Sequence, residues 1–185
     1  MNDFIIYKLA LLAAGIVAGF VVWFSLQVKE SNISRWESLP RNKYAGVVLG
    51  FLCLLWCIPQ AQPIVWSWML PWLFPLAIAF AVIGFFFLDY LFARAVGGLF
   101  ILTAYYMLHG SFTYHTAHGA VFAVMCWIIG ISGLFFSGRP YLLRDVIRKI
   151  AISRKYKYVT AAFFAAFGLF CLSAGIVHLV SGSAS

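Results

Sequence analysis

The chain has 185 residues, 64% apolar and only 10% charged, with a formal net charge of +8. About a quarter of the residues in a soluble domain are charged, and a chain this apolar in water would expose large adhesive patches. The composition excludes an ordinary soluble protein and predicts an all-α, polytopic membrane bundle forming a single domain over 1–185. The positive charge does not indicate nucleic acid. The basic residues gather between apolar runs, which is the pattern that orients membrane proteins.

A helix crossing a bilayer needs about 20 apolar residues at 1.5 Å rise each. Six segments qualify or nearly so, at about 4–28, 44–58, 71–88, 93–108, 119–136 and 158–180. Met1-Asn2-Asp3 supplies no basic n-region and the first apolar run exceeds a signal-peptide core, so span one is expected to be retained. Its one charge, Lys8, is expected to snorkel outward from the first turn. The polar stretch after it holds the sequon Asn32-Ile33-Ser34, expected to face the cytoplasm and stay unmodified. Span two is short, with Pro59 marking its end and Arg41 and Lys43 anchoring it at the interface.

Trp66, Trp68 and Trp72 then form an interfacial belt. In span three Pro71 suits the first turn, whereas Pro75 is expected to kink the helix near its outer end. Asp89 and Arg94 frame the tight junction to span four and are expected to pair as a structural clamp. Span four carries Thr103, Tyr105 and Tyr106 and ends at His109, and a polar-aromatic loop leads to His118 and span five. The tail 181–185 is small and polar.

Orientation follows from the lysines and arginines. Lys29, Arg35, Arg41 and Lys43 follow span one; Arg94 follows span three; Arg139, Arg144, Arg148, Lys149, Arg154, Lys155 and Lys157 follow span five. Twelve of the 13 basic residues thus fall on alternate loops, Lys8 being the exception. The alternation predicts both termini outside (N-out, C-out) and a location in a bacterial cytoplasmic (inner) membrane.

Between spans five and six, over 140–157, Leu143, Val146, Ile147 and Ile150 repeat at i, i+3, i+4, i+7. Arg144, Asp145, Arg148 and Lys149 lie largely opposite. This predicts a basic amphipathic interfacial helix. Arg144, Arg148, Lys149, Arg154 and Lys155 would face anionic lipids or a partner protein. Gly15 with Gly19 and Gly46 with Gly50 are small-xxx-small pairs, expected to serve close helix packing. The four cysteines lie inside apolar segments without metal-ligand spacing and read as small core residues.

Two patterns could carry chemistry. Gly130-Ile131-Ser132-Gly133 followed by His178 resembles the serine motif and histidine of rhomboid intramembrane proteases, over four residues plus one. The opposed directions of spans five and six put the two groups roughly 20 Å apart along the membrane normal, too far for a serine and its base. The second is a set of histidines. His109, His115, His118 and His178 all fall at the outer face, where imidazoles could hold a metal or haem iron. No histidine lies at the inner face, so a second, stacked haem has no ligand.

The leading expectation is a non-catalytic accessory, assembly or scaffold component of a membrane complex, with no cofactor and with the bilayer and other membrane proteins as partners. The first alternative is a metal- or haem-binding redox protein built on the histidines. The second is a small-solute transporter or pore using Pro75 and the polar residues of span four.

Overall fold

The computed structural model describes residues 2–28, 30, 33–62, 64–114 and 119–181; of 2–4, 34, 35 and 177–181 it describes the backbone alone. His115 and His118 lie outside the described residues, and the His178 side chain is likewise not described. The helices are α1 (Asn2–Gln27), α2 (Ile33–Glu37), α3 (Lys43–Ala61), α4 (Leu73–Phe87), α5 (Leu91–Thr113), α6 (Gly119–Gly138), α7 (Tyr141–Ile152) and α8 (Arg154–Ser181). Among the described residues there is no strand. Among the described residues, six helical segments are long and apolar enough to cross a membrane: Ile5–Gln27, Lys43–Ala61, Ser67–Phe87, Leu91–Thr113, Gly119–Gly138 and Arg154–Ile176.

Several boundaries move from those expected. Pro59 lies inside α3, which runs on to Ala61 and so reaches 19 residues, about 28 Å at 1.5 Å each. In lipid a broken helix would expose backbone groups to hydrocarbon, so a proline near a helix end is tolerated rather than terminating. Asn42 starts this helix, its side-chain oxygen accepting from the Ala45 N–H at 3.1 Å, an N-cap. Pro71 falls in a 3-10 segment, Ser67–Trp72, and Pro75 in the first turn of α4. A first-turn residue has no intrahelical acceptor for its N–H, so the reason for a kink at Pro75 disappears.

α5 continues past the expected end, so His109, Gly110 and Ser111 are helical. The last turn is closed by Thr113 Oγ1 donating to the His109 carbonyl at 2.9 Å and by Tyr114 N–H donating to the Gly110 carbonyl at 2.9 Å. The amphipathic helix expected over 140–157, in contrast, ends early, at Ile152. Ser153 separates α7 from α8, and its carbonyl accepts α8's first bond from the Lys157 N–H at 3.1 Å. Arg154 and Lys155 therefore belong to the first turn of α8 rather than to the amphipathic helix.

The contacts divide the chain into two compact units. The first comprises 1–33, 103–129 and 147–185. Its centre is the antiparallel pairing of α1 with α8, in which Ala18 and Gly15 meet Gly168 while Leu11 and Leu12 meet Gly175. A Cβ on Gly15 would stand 2.6 Å from Leu172 Cγ, and one on Gly168 would stand 3.1 Å from the Ala18 Cβ. Small residues let the backbones approach where lipid offers no hydrophobic drive to associate. A Cβ on Gly19, expected in the same role, would meet nothing within 4 Å, and the residue is exposed. Phe122 is fully buried and stacks on Phe167 and Phe170 at 5.8 and 4.7 Å.

The second unit comprises 34–102 and 130–146. Here α3 presses on the start of α5. A Cβ at Gly46 would stand 2.8 Å from the Leu91 carbonyl carbon, Gly50 faces Ala95, and the Cys53 thiol donates to the Ala95 carbonyl at 3.6 Å. α5 and α6 cross at Gly97 and Gly133, where a Cβ on either would lie 2.7 Å from the other's carbonyl oxygen. The second glycine of the protease-like pattern is thus a packing residue. Tyr90 joins α4 to α5 with φ 55°, a conformation that L side chains adopt at a cost. The Arg41 guanidinium lies 5.9 Å from its ring centroid.

Candidate functional site

α7 has the two-faced character its sequence predicts. Ile147 and Ile150 are buried, Leu143 and Val146 are half-buried, and Arg148 and Lys149 are exposed. The cations are not equivalent. Arg144 Nη2 donates to Asp145 Oδ1 at 3.3 Å, so that stretch is locally neutralised. Arg148, Lys149, Arg154 and Lys155 are exposed, Lys157 is half-buried, and no acidic residue lies between 146 and 157. The Lys149 ammonium stands 6.0 Å from the Tyr156 ring centroid, a cation–π contact linking the last turn of α7 to the first of α8.

Arg94 does not pair with Asp89. Its Nη1 donates to the Ser137 carbonyl at 3.0 Å, near the C-terminus of α6. Tyr90, in its left-handed conformation, stands between the two residues and starts a new helix, so Asp89 is not on the Arg94 face. A cation at a helix C-terminus satisfies a carbonyl that has no intrahelical donor and complements the dipole.

Of the histidines, His109 is exposed and stacks on Tyr105 one turn earlier, with centroids 6.0 Å apart and planes at 11°. Among the described residues no three His, Cys, Asp or Glu side chains gather at metal-binding distance. All four cysteines are free thiols, with Cys53, Cys126 and Cys171 buried and Cys57 exposed.

The same end of the first unit holds a polar cluster that sequence reasoning missed. Lys8 is only 6% exposed and does not snorkel outward; Tyr7 beside it is 1% exposed. The Tyr7 ring lies 6.2 Å from Tyr106 and 5.1 Å from Tyr114 and is pressed against Gly110; its hydroxyl is buried without a hydrogen-bond partner. Ser111 is buried as well. The spacing Lys8, Leu11, Gly15, Ala18, Ser25 carries the signal. It is an i, i+3, i+7 seam and its members are buried. Lys8 therefore sits on the packed face, and a charge on that face has protein around it instead of lipid.

No family model, no curated protein and no solved structure matches this chain. Its fold and composition define it as an α-helical protein with the features of a multi-pass membrane protein.

Proposed function

We propose that the protein is a non-catalytic accessory or assembly component of a membrane complex, held in a bacterial cytoplasmic membrane with both termini outside and its basic segments inside. The observation that carries the reading is α7. Its Ile147 and Ile150 are buried while Arg148 and Lys149 are exposed, so the helix is anchored by one edge and offers charge on the other. Such a helix suits the membrane interface, with its basic side toward anionic headgroups or a partner. The alternation of basic loops in the sequence supports a cytoplasmic location for that side. The acidic residues Asp3, Glu30, Glu37, Asp89 and Asp145 all fall near span ends or in loops, which supports a structural role over a proton relay through the bundle.

Extraction into polymer-bounded native nanodiscs tests the reading. The chain should be recovered with a protein partner at fixed stoichiometry, and deleting it should reduce assembly of that partner. Recovery of the chain alone, with other membrane assemblies unchanged in the deletion strain, sinks the proposal.

A further inference from the structure

We infer that the last turn of α3, residues 58–61, is a hinge: it opens without the rest of the helix and carries the Gln60 amide from the protein interior to the membrane interface. The inference concerns the second unit alone and is independent of the accessory reading, which stands on α7.

Two independent defects fall on this one turn. The first is in the backbone. Pro59 lies inside α3 and has no N–H, so the Leu55 carbonyl lacks the donor that an i+4 residue normally supplies. Pro63 stands four residues further on and deprives the Pro59 carbonyl in the same way. The N–H groups that follow are used elsewhere: Gln62 donates to the Ile58 carbonyl at 3.1 Å, and Ile64 and Val65 both donate to the Ala61 carbonyl at 3.0 Å. A helix end short of two i+4 donors opens at lower cost than the helix behind it.

The second defect is the Gln60 side chain. Its Nε2 and Oε1 are both buried, and neither has a hydrogen-bond partner among the described residues. Buried amides normally make these bonds. Leaving a donor or acceptor unmade shifts the balance between closed and open forms by roughly fivefold to a hundredfold. Gln62, two residues on, is exposed, so the turn sits where the chain leaves its apolar run and water or a headgroup can take both bonds. At mid-membrane, hydrocarbon would hold such a turn shut.

No ion pair ties the turn down, because positions 44–88 hold no Asp, Glu, Lys, Arg or His. Beyond it lies the 3-10 segment Ser67–Trp72, tied forward into α4 by the Leu73 N–H donating to the Leu70 carbonyl. Trp66, Trp68 and Trp72 are exposed. A hinge at 58–61 lets these indoles follow the interface while α3 stays packed on α5 through Gly46 and Cys53.

Hydrogen exchange of the purified full chain in lipid nanodiscs, read by mass spectrometry at the amides of 60–62 and of 47–52, tests the hinge. Nanodiscs expose both membrane faces, so the result does not depend on sidedness. Gln60→Leu removes the unpartnered amide and should slow exchange at 60–62 by at least about fivefold, with 47–52 unchanged and the melting temperature equal or higher. Gln60→Met, closer in shape, should give the same result. Pro59→Ala returns a donor to the Leu55 carbonyl and should slow exchange by about twofold to tenfold. Gln62→Leu, at the exposed glutamine, should stay within about twofold of wild type. Faster exchange or a lower melting temperature in both Gln60 variants would mean that the amide is bonded in the folded protein, and overturns the proposal. Slowing by Gln62→Leu as large as by Gln60→Leu would mark ordinary fraying of a helix end and contradict it too, as would equal exchange in every variant. A partner recovered at fixed stoichiometry without a hinge leaves the accessory reading standing, and a hinge without a partner sinks that reading alone.

Discussion

The ring of Tyr7 occupies the space that a side chain at Gly110 would need, so α1 and α5 meet through one aromatic residue and one absent Cβ. The contact is specific in both directions. Gly110→Ala forces the buried ring to move, and overpacking of this kind costs about 1–3 kcal/mol. Tyr7→Ala leaves a cavity and should cost about 3 kcal/mol. Tyr7→Phe removes only a buried hydroxyl that has no partner, and should be neutral or stabilising. Unfolding in mixed micelles ranks the three variants; a Tyr7→Phe loss as large as that of Tyr7→Ala would mean the hydroxyl is bonded in the folded protein.

The α1–α8 seam gives a paired comparison. Gly15→Leu puts a side chain against Leu172 and the Gly168 carbonyl and should lower stability by about 2 kcal/mol or more. Gly19→Leu enters open space and should stay within about 0.5 kcal/mol of wild type. Thermal melts in detergent distinguish them. Equal loss at both sites would contradict the packing of this helix pair.

Arg94 closes the end of α6 through the Ser137 carbonyl, independently of Asp89. Arg94→Met should therefore destabilise by about 1.5–3 kcal/mol, the range for a hydrogen bond to a charged group. Asp89→Asn should be near neutral, and the double variant should show no coupling beyond about 0.5 kcal/mol. A coupling energy well above that would restore the ion pair expected from sequence.

How much was legible depended on periodicity. The six apolar runs and the i, i+3, i+4, i+7 pattern of Leu143, Val146, Ile147 and Ile150 are strong signals, and the helices lie where those signals fall. Prolines were weaker guides, because lipid keeps backbone bonds closed: α3 passes through Pro59, and Pro75 lands in a first turn where it costs nothing. Side-chain partners were hardest to see. Lys8 was expected to snorkel but is buried, and Arg94 found a carbonyl 43 residues away in place of the nearby carboxylate. Both depend on which helices become neighbours, and one sequence does not encode that locally. The outer histidines stay an expectation from sequence, with His109 alone among them described as a side chain, stacked on Tyr105.

Sidedness is the claim on which the accessory reading and the basic-face assignment both stand, and thiol labelling in intact cells tests it directly. In a chain with Cys53, Cys57, Cys126 and Cys171 replaced by alanine, single cysteines go at two exposed positions, Gln62 just after α3 and Arg139 between α6 and α7. The account predicts that an impermeant maleimide labels Gln62→Cys in intact cells and reaches Arg139→Cys only after the membrane is opened. Labelling of Arg139→Cys in intact cells, with Gln62→Cys protected, would reverse the orientation and put the basic side of α7 on the outer face.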